Sequence, residues 1–237
     1  MQNLKKLIYS AITCTFLLNV SLPANSTERE VKVYSGRHYN TDRSVYKKFS
    51  EETGIKVKII SGKKESEIVA KNDISSHIGK TKNYCFIDVG GGSTEVIIYK
   101  KNTFYKSKSF KIGGVRLING LVTDSTWNDF KIWLETNATE LKKLKIIGIG
   151  GNINKIYKIS GVKYTKPLTL KKFKNTLDKL EKMSYQKKLV KLKLNPDRID
   201  VIHPAGRIYY FLLKTLSIKE IYVPKIGLAD GMVSEII

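Results

Sequence analysis

Two glycine-rich stretches and one glutamate are the parts of this chain suited to chemistry. Asp88-Val89-Gly90-Gly91-Gly92-Ser93-Thr94-Glu95 joins three consecutive glycines to two hydroxyls and two carboxylates. Such glycines let the backbone approach a ligand closely, and their N–H groups can form an anion-binding nest. Ser93 and Thr94 add hydroxyl donors. Asp88 could hold a divalent cation against phosphate oxygens. No Gly-Lys-Ser/Thr follows, so this is not a Walker loop. An extended rather than helical pattern follows it, which excludes a dinucleotide fingerprint. A glycine-rich hairpin with an acid nearby would show the same residues.

Gly148-Ile149-Gly150-Gly151-Asn152 is the second stretch. A strand precedes it and a helix follows, and a helix N-terminus favours anions. A tight strand-to-helix turn also calls for glycine. Paired with the first loop, it could clamp one phosphate chain from the opposite side. Glu65 follows Ser61-Gly62-Lys63-Lys64. Alone it reads as a solvated cap residue. Phosphoanhydride hydrolysis needs a group to orient a water, and a carboxylate near the glycine loop would suit.

The surrounding pattern supplies the elements that hold these residues. Tyr84–Ile87 and Val96–Tyr99 read as strands joined by the first loop, so the loop closes a hairpin. A third strand is expected from Asn102 to Phe110. Helical periodicity covers 123–143, with Trp127, Phe130, Trp133 and Leu134 on one face. Lys145–Gly148 reads as a strand entering the second loop, followed by a helix through Ile159. Helices are expected over 169–185, with Leu170, Phe173, Leu177 and Leu180 inward, and over 204–216. Ile221–Val223 is a last strand and 227–237 a last helix. Upstream, 31–60 reads as strand, helix, strand, and 64–77 as a helix.

The chain has 237 residues, with 41% apolar and 27% charged, as in an ordinary globular protein. Its net charge of +22 invites a polyanionic partner, although the excess is almost all lysine, which biased base composition would also produce. Cys14 and Cys85 suggest neither a disulfide framework nor a zinc site. His38, His77 and His203 form no ligand cluster. Residues 1–26 read as an export signal: Lys5 and Lys6, an apolar run from Leu7 to Leu22, then Ala24-Asn25-Ser26. The run is short for a membrane span of about 20 residues, and no other stretch could cross a membrane.

Six ordered motifs resemble the exopolyphosphatase / guanosine pentaphosphate phosphohydrolase family. They are Ile59–Glu65, Phe86–Glu95, Ile112–Leu117, Ile147–Asn152, Asn195–Gly206 and Val223–Gly231. The resemblance implies an α/β fold: a lobe of the actin-like ATPase (ribonuclease H-like) type, with a mixed five-stranded sheet and flanking helices. It implies a phosphoanhydride hydrolase that releases terminal phosphate from polyphosphate or guanosine pentaphosphate with magnesium. Glu65 takes the position of the family's catalytic base. Asp88 and Glu95 take the metal-holding positions. Gly90, Gly91, Gly92, Ser93 and Thr94 take the phosphate-binding positions, joined by Gly150, Gly151 and Asn152.

The family's first phosphate loop and the arginine segment after it are not found, so the first lobe is expected to be incomplete. In their place, Val33-Tyr34-Ser35, Arg37-His38-Tyr39, Asp42, Phe49 and Thr53–Val57 resemble the start of periplasmic ferric-iron-binding proteins. There His38 and Tyr39 would contact iron, but one short segment cannot make that whole site, and a gene fusion is the expectation. The parts are therefore 1–26 as signal, 27–83 as first-lobe remnant or fused segment, and 84–237 as second lobe. Two alternatives to an active hydrolase stand beside it: an inactive truncated member that only binds phosphate or polyphosphate, and an exported binding protein. Export follows if the signal is used; otherwise the chain is cytoplasmic. No specific nucleic acid is implied as partner, and a homodimer is open.

Overall fold

Strand β3 (Tyr84–Val89) is the centre of the fold. Its residues are buried on both faces except Asp88, which is half-buried. A near-continuous apolar run of this kind marks a strand covered on both sides. The structure is a computed structural model that describes residues 30–33, 40–59, 68, 81–224 and 226. The expected signal, the helix at 227–237, the helix at 64–77 apart from Ile68, which is helical and buried, and Glu65, His38 and Tyr39 lie outside the described residues.

The remaining elements of the main unit, in chain order, are β4 (Thr94–Lys100), β5 (Thr103–Phe110), α2 (Gly114–Ile118), α3 (Asp124–Ala138), β6 (Lys145–Ile149), α4 (Gly151–Ser160), β7 (Leu168–Thr169), α5 (Leu170–Lys182), α6 (Tyr185–Leu192), α7 (Pro196–Ile199), α8 (Ile202–Thr215) and β8 (Glu220–Tyr222). The sheet order is β5-β4-β3-β6-β8-β7. β3, β6 and β8 run parallel; β4 and β7 run antiparallel to β3 and β8 respectively, and β5 antiparallel to β4. The mixed sheet is the expected one. Two-residue β7 adds a sixth strand at its edge, too short to leave a period in the sequence.

One face of the sheet meets the helices. Cys85, Ile87, Val89, Val96, Ile98 and Ile146 join Phe130 and Leu134 of α3, Ile153 and Ile156 of α4, Phe173 and Leu177 of α5, and Ile208, Leu212 and Leu213 of α8. Tyr84, Phe86, Ile97, Ile147 and Ile149 form a second cluster. By the period of two along β3, Asp88 shares the face of Tyr84 and Phe86.

Local chemistry sets the boundaries. Lys101 and Asn102 both have φ near +60° (53° and 63°), which makes a two-residue hairpin turn and moves the start of β5 to Thr103. The long helix expected over 169–185 is cut at Lys182. Ser184 then starts α6, its Oγ accepting from the Lys187 N–H at 3.4 Å. The helix expected over 123–143 stops at Ala138. Thr123 caps its start, with Oγ1 accepting from the Thr126 N–H at 3.3 Å.

The chain divides into two compact units, residues 1–33 with 39–58, and 34–38 with 59–237. In the smaller, β1 (Glu30–Val33) and β2 (Lys56–Ile59) pair as a two-stranded sheet, and α1 (Asn40–Thr53) lies between them in sequence. Among the described residues no helix is long and apolar enough to cross a membrane.

Candidate functional site

The two glycine loops leave the ends of adjacent strands. β3 and β6 are parallel, with Asp88 opposite Ile149, so both chains pass into their loops at one edge of the sheet. Residues 63 apart in sequence then touch: the Asn152 Nδ2 donates to the Val89 carbonyl at 3.0 Å. Val89 is held from the other side as well. Its N–H donates to the Tyr209 hydroxyl at 3.2 Å, and that hydroxyl donates to the Ile149 carbonyl at 2.8 Å. Tyr209, on α8, is fully buried and thus ties the last residues of both strands together.

The first loop is a hairpin closed by the Gly90 N–H donating to the Ser93 carbonyl at 2.9 Å. Helix α2 caps itself on it. The Gly114 N–H donates to the Gly90 carbonyl at 3.0 Å and the Val115 N–H to the Gly91 carbonyl at 2.9 Å. The Arg116 Nε donates to the Gly92 carbonyl at 2.7 Å. With the carbonyls turned to α2, the N–H groups of Gly91, Gly92 and Ser93 donate to no group among the described residues. Arg116 is a positioning residue that sequence reasoning missed, although it lies inside the Ile112–Leu117 motif.

The loop also depends on close approach. A Cβ on Gly113 would overlap the Gly91 carbonyl and lie 2.7 Å from the Gly92 carbonyl carbon. Both neighbours are backbone, so the loop itself would have to move. Gly113→Ala is expected to lower stability by about 1–3 kcal/mol through overpacking, measured as the shift in urea midpoint. A change under about 0.5 kcal/mol would mean that the loop yields freely.

Asp88 and Glu95 are direct cross-strand partners on one face. Both are half-buried. Glu95 Oε1 accepts from the Ser93 hydroxyl at 2.6 Å and the Ser109 hydroxyl at 3.1 Å. Gly150, at φ 91°, lies directly against the Asp88 carboxylate, so no side chain would fit there. Tyr209 is pushed well above the usual phenol range, first by burial and next by the charge of Asp88. The contact with Gly150 places the Asp88 carboxylate where the two strands pass into their loops.

Helix α4 begins at Gly151 with no side-chain cap and no acid in its first turn. Its first N–H groups are the unpaired donors of any helix start. The structure thus assembles Asp88, Gly90, Gly91, Gly92, Ser93, Glu95, Gly150, Gly151 and Asn152 in one place. Three of the side chains expected to serve a ligand are used internally. Thr94 is fully buried and donates to the Ile112 carbonyl at 2.7 Å. Ser93 donates to Glu95, and Asn152 to Val89. Glu65 lies outside the described residues.

The fold is similar to that of solved structures. An exopolyphosphatase from Cytophaga hutchinsonii superposes with a TM-score of 0.66 at 21% identity, covering 86% of this chain and 73% of that one. An Aquifex aeolicus member of the Ppx/GppA protein family gives 0.63 at 22%, covering 87% and 73%. The fold is the actin-like ATPase type that the sequence motifs implied. Among curated proteins, a bifunctional 3-dehydroquinate synthase/phosphatase from Fusobacterium nucleatum is 37% identical over 119 residues, or 44% of this chain and 18% of that protein. An iron uptake protein A1 from Synechocystis is 58% identical over 36 residues, or 15% of this chain and 10% of that protein. The chain spans less than a fifth of the length of either curated relative. The family signature itself extends further toward the N-terminus than the Ile59–Glu65 motif: it matches residues 37–237, and the chain belongs to the Ppx/GppA phosphatase family.

Proposed function

We propose that the chain hydrolyses a phosphoanhydride, releasing terminal phosphate from polyphosphate or guanosine pentaphosphate with a magnesium ion. The observation that carries this reading is the meeting of the Gly90–Ser93 hairpin loop, the uncapped start of α4 and the Asp88–Glu95 cross-strand pair where β3 and β6 end. With Ser93, Thr94 and Asn152 engaged internally, the phosphate oxygens take backbone N–H groups from Gly91, Gly92 and Ser93 on one side. The start of α4 supplies the other. Rigid donors of this kind stabilise charge developing on a phosphoryl group without reorganising.

The donor set fits magnesium. That ion is held by one or two carboxylates plus substrate phosphates and waters, not by an all-protein cage. Asp88 and Glu95 are such a pair, and among the described residues no group of three metal-ligating side chains occurs. When bound, magnesium would neutralise charge on the phosphate oxygens. Asp88 and Glu95 would hold it, the hydroxyls of Ser93 and Ser109 would fix the Glu95 carboxylate, and Glu65 would orient the attacking water.

The test is phosphate release from polyphosphate and from guanosine pentaphosphate, with magnesium and with chelator. Release that needs the metal is expected. Binding of either substrate without any release would leave a phosphate-binding family member and sink the hydrolase.

A further inference from the structure

Next to the second glycine loop lies a cavity of about 580 Å³. Its lining includes Lys155 and Lys158 of α4 and Arg198 of α7, and among the described residues that line it none is acidic. Among the described residues, none of these three cations has a carboxylate within 4 Å. Instead the Lys155 Nζ donates to the Lys193 carbonyl at 3.3 Å. Burial lowers the Lys155 pKa, with the charges of Lys158 and Arg198 adding to the effect. Like charges brought together without a counter-ion repel, and an anion among them removes that penalty.

The cavity is continuous with the proposed phosphate site. Gly151 belongs to both, since the Arg198 guanidinium packs on it, about 2.6 Å from where a Cβ would sit. The far wall is fixed by Tyr157, whose hydroxyl lies 2.7 Å and 2.6 Å from the Lys163 and Lys166 carbonyls. The volume is in the range of ordinary ligand pockets.

We propose that this cavity holds the distal phosphates of a phosphate-chain substrate whose terminal groups sit on the two glycine loops. The proposal rests on the hydrolase reading for its first half and on the Lys155–Lys158–Arg198 cluster for its second. Distal phosphates could belong to an inorganic chain or to a nucleoside polyphosphate; both present the same oxyanions.

The test is binding by titration calorimetry on the full chain with magnesium, in a Glu65→Gln background that suppresses turnover, using long-chain polyphosphate, guanosine pentaphosphate and pyrophosphate. The cavity variant is Lys155→Gln/Lys158→Gln. The control is Lys171→Gln/Lys172→Gln, which removes the same charge from exposed positions on α5. The cavity variant is expected to weaken long-chain polyphosphate about tenfold, the control less than about twofold, with pyrophosphate unchanged in both. A parallel loss for guanosine pentaphosphate assigns the cavity to both sources; a loss for one substrate assigns it to that one. Equal losses in the two variants would reduce the effect to bulk charge and overturn the proposal, as would no loss in either. Binding does not depend on turnover. Cavity-dependent binding without phosphate release by the chain with Glu65 intact overturns the hydrolase alone, and such release with unaffected binding overturns the cavity alone.

Discussion

Phosphate release is expected to fall about 10²–10⁴-fold in a Glu65→Gln variant, the usual worth of a positioned acid–base group. Asp88→Asn is expected to fall as far, with a different signature. Asn is nearly the same shape, so contact with Gly150 is kept while the negative charge opposite Glu95 is lost. Magnesium titration separates the two. The half-maximal metal concentration should rise in Asp88→Asn and stay put in Glu65→Gln, because Asp88, together with Glu95, is proposed to hold the ion and Glu65 is not. Substrate binding should persist in Glu65→Gln. Full activity in either variant, or a metal shift in Glu65→Gln, would overturn the assigned roles.

The second large effect concerns stability rather than chemistry. Tyr209→Phe removes the one hydroxyl that serves both the Val89 N–H and the Ile149 carbonyl. Both would be left buried without a partner, at a cost of about 1–3 kcal/mol. Tyr209→Ala adds a cavity among the largest fully buried side chains, and about 3–5 kcal/mol is expected. Urea midpoints report this, and an unchanged slope shows that the same surface is being exposed. Phosphate release by Tyr209→Phe should fall even where the protein remains folded, since the hydroxyl sits where both loops begin. A Tyr209→Phe change within about 0.5 kcal/mol would show that water or a shifted α8 replaces the hydroxyl.

Part of the candidate site's layout was legible in the sequence because glycines interrupting apolar runs mark where strands end in turns. Gly90–Gly92 between Tyr84–Val89 and Val96–Tyr99 predicts a hairpin loop, and the strands close it as expected. The approach of the two loops was less legible. It depends on β3 pairing with β6, and no local period encodes which strands pair. Side-chain roles were the hardest to read. Ser93, Thr94 and Asn152 look like ligand donors from their type alone. Their partners inside the fold, Glu95, the Ile112 carbonyl and the Val89 carbonyl, are fixed by register and by contacts far along the chain. Arg116 and Tyr209 went unnoticed for the same reason. Neither stands in a glycine loop, and each acts on one from a neighbouring helix.

The tie between Asn152 and Val89 across 63 residues also has a temporal meaning. During synthesis the β3–β4–β5 hairpins involve near neighbours and can close within microseconds. The parallel pairing of β3 with β6 must wait for the intervening chain and for the loss of its freedom. The first half of the proposed phosphate site can therefore exist before the second. A nascent chain that has made its hairpins but not β6 would present the Gly90–Ser93 loop without the second glycine loop against it.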